Sequence, residues 1–146
     1  MTTIDELLGQ ESQAWAALES AFESVDGDRR NTEDVVPGWS TQVLVWHCAF
    51  WADYVAQVVE GAAAGAEAPG DEDWDAINDQ VAEDSKAMTW EQVLEGFAAA
   101  RDRVHAALAA LGDERLTEEL RAEVVSETSE HFAEHAAEIA TFAAQA

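Results

Sequence analysis

Basic residues are scarce in this chain. Lys86 is its only lysine, and lysine plus arginine number seven against 31 Asp and Glu, for a formal net charge of −24 over 146 residues. Such a surface repels phosphate backbones and anionic lipid headgroups, so nucleic-acid and membrane-surface roles are excluded first. Cysteine is nearly absent too. Cys48 stands alone, which rules out an intrachain disulfide and any Cys-based zinc cluster. Proline occurs only at Pro37 and Pro69, and no apolar run approaches membrane-spanning length. The start, Met1-Thr2-Thr3-Ile4-Asp5, has neither the basic residues nor the apolar stretch of a secretory signal. The expectation is a cytoplasmic protein, one domain over residues 1–146, with no nucleic-acid or membrane partner.

What is abundant is alanine and helical periodicity. Nearly half the residues are apolar, which argues against disorder, and so few helix breakers point to an all-α chain. Thr3 followed by Glu6 is a capping-box pattern, and Ile4, Leu7, Leu8, Trp15, Leu18, Phe22 and Val25 form one apolar stripe until Asp26-Gly27-Asp28. Pro37-Gly38 reads as a turn, and Ser40 as the N-cap of a second helix running to about Glu60, with Gly61 as its stop. Its stripe is Val43, Leu44, His47, Trp51, Tyr54, Val55 and Val58. A long crossover covers 61–73, followed by a short helical segment over Trp74 to Glu83. Thr89 with Gln92 opens a third long helix carrying Val93, Leu94, Phe97, Val104, Leu108 and Leu111, which Gly112 ends. The last helix starts between Thr117 and Ser126 and carries Val124, Thr128, His131, Phe132, His135, Ile139 and Phe142. Four amphipathic helices without a strand pattern read as a four-helix bundle.

The histidines carry the chemical signal. His131 and His135 stand one turn apart on a single helix face, a spacing that lets two imidazoles reach one ion. His47 lies in mid-stripe on the second helix. Taken singly, a core histidine is more often just hydrogen-bonded, and HxxxH spacing recurs by chance. Placement of all three on the core stripes of two helices points to a shared divalent cation, because a buried polar group needs a partner. Three imidazoles suit zinc, nickel, iron or cobalt better than magnesium or calcium, and leave coordination positions open. Glu127, one turn before His131, reads more readily as a solvated acid than as a further ligand or an acceptor behind one, and no general base is evident on the stripes. His105 reads as a surface residue and Cys48 as a small core residue.

Several stretches resemble a known group. The run Pro37-Gly38-Trp39-Ser40-Thr41-Gln42-Val43-Leu44-Val45-Trp46-His47, continuing to Phe50-Trp51, resembles the start of helix two in the DinB-like superfamily, which includes the mycothiol-dependent maleylpyruvate isomerase N-terminal domains. Residues Thr128 to Ile139 resemble that superfamily's final helix, and Trp74-Asp75-Ala76-Ile77-Asn78 with Thr89-Trp90 its middle section. The resemblance implies a DinB-like bundle with a metal held near one end by a His triad, here His47, His131 and His135. Characterised members include thiol-dependent S-transferases and isomerases that use mycothiol or bacillithiol. A similar branch is related to cyclopropane-hydrolysing self-resistance proteins.

Three functions follow as expectations. The first is a metal-dependent S-transferase or isomerase acting on a small molecule with a low-molecular-weight thiol as cosubstrate, in which Trp51 and Tyr54 line the substrate pocket. The second is metal-assisted hydrolysis. The third is a non-catalytic structural or stress-response bundle. A homodimer is compatible with each.

Overall fold

The computed structural model describes residues 2–66, 69–70 and 72–145, so positions 67, 68 and 71 of the expected crossover, and both chain ends of the expected domain, lie outside the described residues. Six helices follow in order: α1 (Ile4–Glu23), α2 (Thr41–Ala63), α3 (Trp74–Lys86), α4 (Trp90–Leu111), α5 (Glu118–Glu127) and α6 (Ser129–Ala144). No strand occurs among the described residues. The four bundle spans are α1, α2, α4 and the α5–α6 pair, with α1 against α6, α2 against α4, and α3 resting on α2.

The caps form as their sequences dictate. Thr3 Oγ1 accepts from the Glu6 amide (3.2 Å), and Glu6 reaches back to the Thr3 amide. Thr89 and Gln92 make the same reciprocal pair at 3.1 and 2.9 Å. Each box satisfies two amides that the first helical turn leaves without partners. The end of α2 departs from expectation. Gly61 does not stop it, because the alanines that follow are strong helix formers. The left-handed residue is Gly65 (φ +82°), where Ala66 N donates to Gly61 O (2.8 Å) and Gly65 N to Ala62 O (3.1 Å). That is a Schellman termination one turn later.

The core is continuous through the bundle. Leu18, Leu44, Val55, Phe97, Leu108, Phe132 and Ile139 are all essentially without solvent exposure. α2 is the innermost helix: Val45, Cys48, Ala52, Val55, Ala56 and Val59 are all at 0 % exposure, so it is covered on nearly every side. Its close approach to α4 depends on Gly96. A Cβ there would fall 2.6 Å from the Trp46 ring, which lies across α4 at that point.

The last span is one apolar stripe in the sequence but two helices in space. Thr128 sits at φ −122°, ψ −88°, and its hydroxyl donates to Val124 O at 2.6 Å. A threonine that bonds back to the preceding turn bends a helix. The bend gives α5 contacts with α2 while α6 packs along α1.

Candidate metal centre

The entry to α2 sets the first histidine. In the turn Val36-Pro37-Gly38-Trp39, Trp39 N donates to Val36 O (2.9 Å) and Gly38 has φ +82°, which fits a type II turn with proline and glycine at its centre. Asp34 Oδ1 accepts from Gly38 N at 3.0 Å and holds the turn from outside. Trp39 is thereby seated with its ring centroid 4.9 Å from that of His47. Ser40 Oγ accepts from Val43 N (3.2 Å) and starts the helix. Two turns on, His47 faces α6.

There it meets His131 and His135. The three ring centroids lie 4.8 Å (His47–His131), 5.3 Å (His47–His135) and 4.7 Å (His131–His135) apart. One nitrogen from each ring lies within 4.8 Å of the others. The Nε2 atoms of His47 and His131 are 3.0 Å apart. Two imidazole nitrogens bound to one ion at about 2.0–2.1 Å stand roughly 3.0–3.4 Å from each other, so this pair already has the spacing of two ligands.

The electrostatics keep two of the rings, His47 and His131, neutral. Burial, then the neighbouring imidazoles of His131 and His135, push the His47 pKa down to about 3. Burial, then His135, push that of His131 down to about 4. Neutral imidazole is the ligating form. His135 Nδ1 pairs with the Glu138 carboxylate one turn along α6. That bond leaves Nε2 of His135 as the lone-pair nitrogen, the arrangement common behind metal-bound histidines. The Nδ1 atoms of His47 and His131, by contrast, are buried without a partner. A direct Nε2–Nε2 hydrogen bond uses one lone pair, whereas a cation binds both. The donor set fits a divalent ion that accepts nitrogen ligands.

A cavity of about 950 Å³ opens beside the histidines, with His47 and His131 in its wall. Trp51, Tyr54 and Trp74 form one side, their centroids 5.1 to 5.6 Å apart. Trp51 Nε1 donates to Asn78 Oδ1 at 2.8 Å, which fixes that indole. Both Trp51 and Tyr54, expected from the stripe, therefore line the cavity next to the centre. Cys48 is fully buried, and burial raises its thiol pKa well above the usual value. His105 lies apart from the triad and is partly exposed, but it is engaged: its Nε2 is 2.7 Å from Glu11 Oε1.

A family model for the DinB superfamily matches residues 10–142. The chain belongs to the DinB superfamily. Among solved structures, an uncharacterised protein from Escherichia coli UTI89 is similar, with a TM-score of 0.79 at 14 % identity, over 98 % of this chain and 94 % of that one. At that identity the likeness is one of fold. No curated protein matches the chain in sequence.

Sequence alone misses one residue of this DinB-superfamily site, Glu138, and understates another, Glu127. Glu127 is not a freely solvated acid. It lines the cavity, and burial, then the charge of Glu123, raise its carboxyl pKa to about 7. The available signal was its place one turn before His131. Glu138 follows His135 by three residues, a spacing that carries an imidazole–carboxylate bond on one helix face.

Proposed function

We propose that this protein is a divalent-metal-dependent enzyme in which His47, His131 and His135 hold the ion, and that it transfers or isomerises a small electrophilic substrate with a low-molecular-weight thiol such as mycothiol or bacillithiol. The observation that carries this reading is the convergence of three imidazoles from two helices, with His47 and His131 in the wall of a cavity of about 950 Å³. A bound ion would act as a Lewis acid that lowers the pKa of a thiol or water placed on it. The chain supplies the rest. Glu127, its carboxyl pKa raised to about 7, would accept the thiol proton as the sulfur bonds the electrophilic carbon and that carbon gives up an electron pair, to a leaving group in a transfer or to the neighbouring atom of its π bond in an isomerisation. Trp51 and Tyr54 hold the substrate's apolar part.

Glu127 also supports a second reading, metal-assisted hydrolysis, because a carboxylate at the cavity wall could take a proton from water instead. Turnover of 1-chloro-2,4-dinitrobenzene by zinc- or nickel-loaded protein, with and without mycothiol or bacillithiol, tests the thiol reading. Product that forms only with both metal and thiol supports it. Hydrolysis of activated esters by the metal-loaded protein, with no response to thiol, favours the second. A protein that neither binds metal nor turns over is a structural bundle.

A further inference from the structure

The charge lining the cavity has a sign, and that sign speaks to the substrate. Glu119, Glu123, Glu127 and Glu134 line the cavity, and none of them makes an ion pair among the described residues. Arg115, the guanidinium at its wall among the described residues, is held by main-chain carbonyls and keeps its charge. Its Nε and both Nη atoms donate to main-chain carbonyls of Leu111, Ala63 and Ala110, at 2.9, 3.1 and 2.8 Å, where α2 and α4 end. Trp51, Tyr54 and Trp74 line the same cavity, with Trp74 the exposed large apolar side chain among the described residues (37 %). The carboxylates act on these rings: after burial, the charges of Glu123, Glu127 and Glu72 hold the Tyr54 hydroxyl above its usual pKa. His47, only 7 % exposed and with Nδ1 unpartnered, closes the inner end. With Glu127 about half-protonated at neutral pH and Arg115 still charged, the metal-free cavity keeps a net negative field, and a divalent ion on the histidines would offset most of it. Aromatic faces beside carboxylates bind organic cations, and the same field repels carboxylate ligands.

We propose that the cavity takes an organic cation, an amine or quaternary ammonium carried on an apolar or aromatic body, in preference to a dicarboxylate of similar body. This rests on the cavity being the substrate site. It names the substrate class that the thiol chemistry would act on.

Calorimetric titration of the full chain, both zinc-loaded and metal-free, tests it with three probes of similar body: benzyltrimethylammonium, benzyl alcohol and phenylsuccinate. In the metal-free protein the cation should bind about tenfold more tightly than the alcohol, and the dianion more weakly than the alcohol. Trp74→Ala, and Glu123→Gln with Glu127→Gln, should each weaken the cation by roughly fivefold and leave the alcohol unchanged. Glu91→Gln, an exposed acid outside the cavity, should change neither. A dianion that binds the metal-free protein as tightly as the cation does overturns the proposal, as does an equal loss in all three variants, which would mark diffuse attraction to a chain of high net charge. Zinc content measured on the same samples separates the two readings. Cation preference without zinc binding sinks the metal assignment, and one zinc per chain without cation preference sinks this one.

Discussion

Two polar clusters, each with histidine in it, are built into this bundle, and they are completed in opposite ways. Between α1 and α4, Glu11 is 2 % exposed, yet both its carboxylate oxygens are engaged. Arg101 donates to them at 2.7 and 2.8 Å and stacks over Trp15, while His105 lies 2.7 Å from Oε1. Burial alone would raise the Glu11 pKa, but the bonds from Arg101 and His105 outweigh it and the net direction is down. That cluster has an acid and its counter-charge. Between α2 and α6, three imidazoles face one another, with Glu138 behind His135 and with two Nδ1 atoms left bare. Both arrangements place polar atoms where polar atoms cost free energy. The first recovers that cost from protein partners. The second turns three ring nitrogens towards one another, where a bound cation would use all three, and that marks a site rather than a strut.

The largest effect that would break this contrast is on stability. Glu11→Ala leaves the Arg101 charge beside a partly buried gap and should destabilise the fold by about 3 kcal/mol in urea unfolding, with metal stoichiometry unchanged. Loss of metal binding in this variant would mean that the clusters are not independent.

Next in size is Glu138→Gln, which removes the carboxylate that orients His135. Zinc affinity should fall about tenfold, read by competition with a chelator of known affinity, and metal-free stability should change little. An unchanged affinity would show that Glu138 is an ordinary surface acid.

The smallest effect is the most diagnostic. His131→Leu should change the stability of the metal-free protein by less than about 1 kcal/mol, since it removes a bare Nδ1 but also takes from His47 Nε2 its partner. It should also flatten the pH dependence. His47 and His131 have folded-state pKa values of about 3 and about 4, below the ordinary 6.5, so on acidification the unfolded chain takes up protons first. Their contribution is complete above about pH 6.5 and is lost as the pH falls from there towards 4, at up to about 1.4 kcal/mol per pH unit for each ring. Glu11 acts in a lower window: its lowered pKa gives stability that is present above 4.5 and lost as the pH falls through the folded value. Urea unfolding of metal-free wild type and His131→Leu between pH 7 and 4 separates the two windows. Equal slopes above pH 4.5 would contradict the assignment.

Much of this was legible in the residues, for physical reasons that can be named. Thr3, Ser40 and Thr89 cap helices because their oxygens suit bare amides, a local rule that needs no tertiary information. His47, His131 and His135 stood out because a polar residue in phase with an apolar stripe is an anomaly. Glu11 carried the same signal, in phase with Leu7 and Leu18 of α1, and went unread because Arg101 and His105, which complete it, lie 90 and 94 residues on. The bend at Thr128 was invisible. Its stripe runs on unbroken, and whether a threonine hydroxyl turns back to the helix depends on what the two halves pack against. That bend lets α5 and α6 follow different neighbours, so the cavity wall could not be drawn from periodicity.

Elemental analysis decides the central claim most directly, on untagged protein dialysed after incubation with zinc or nickel. The account predicts about one ion per chain for wild type and for His105→Ala, and less than about a tenth for His135→Ala. Wild-type protein that retains no ion, or His105→Ala and His135→Ala losing it alike, would contradict the account.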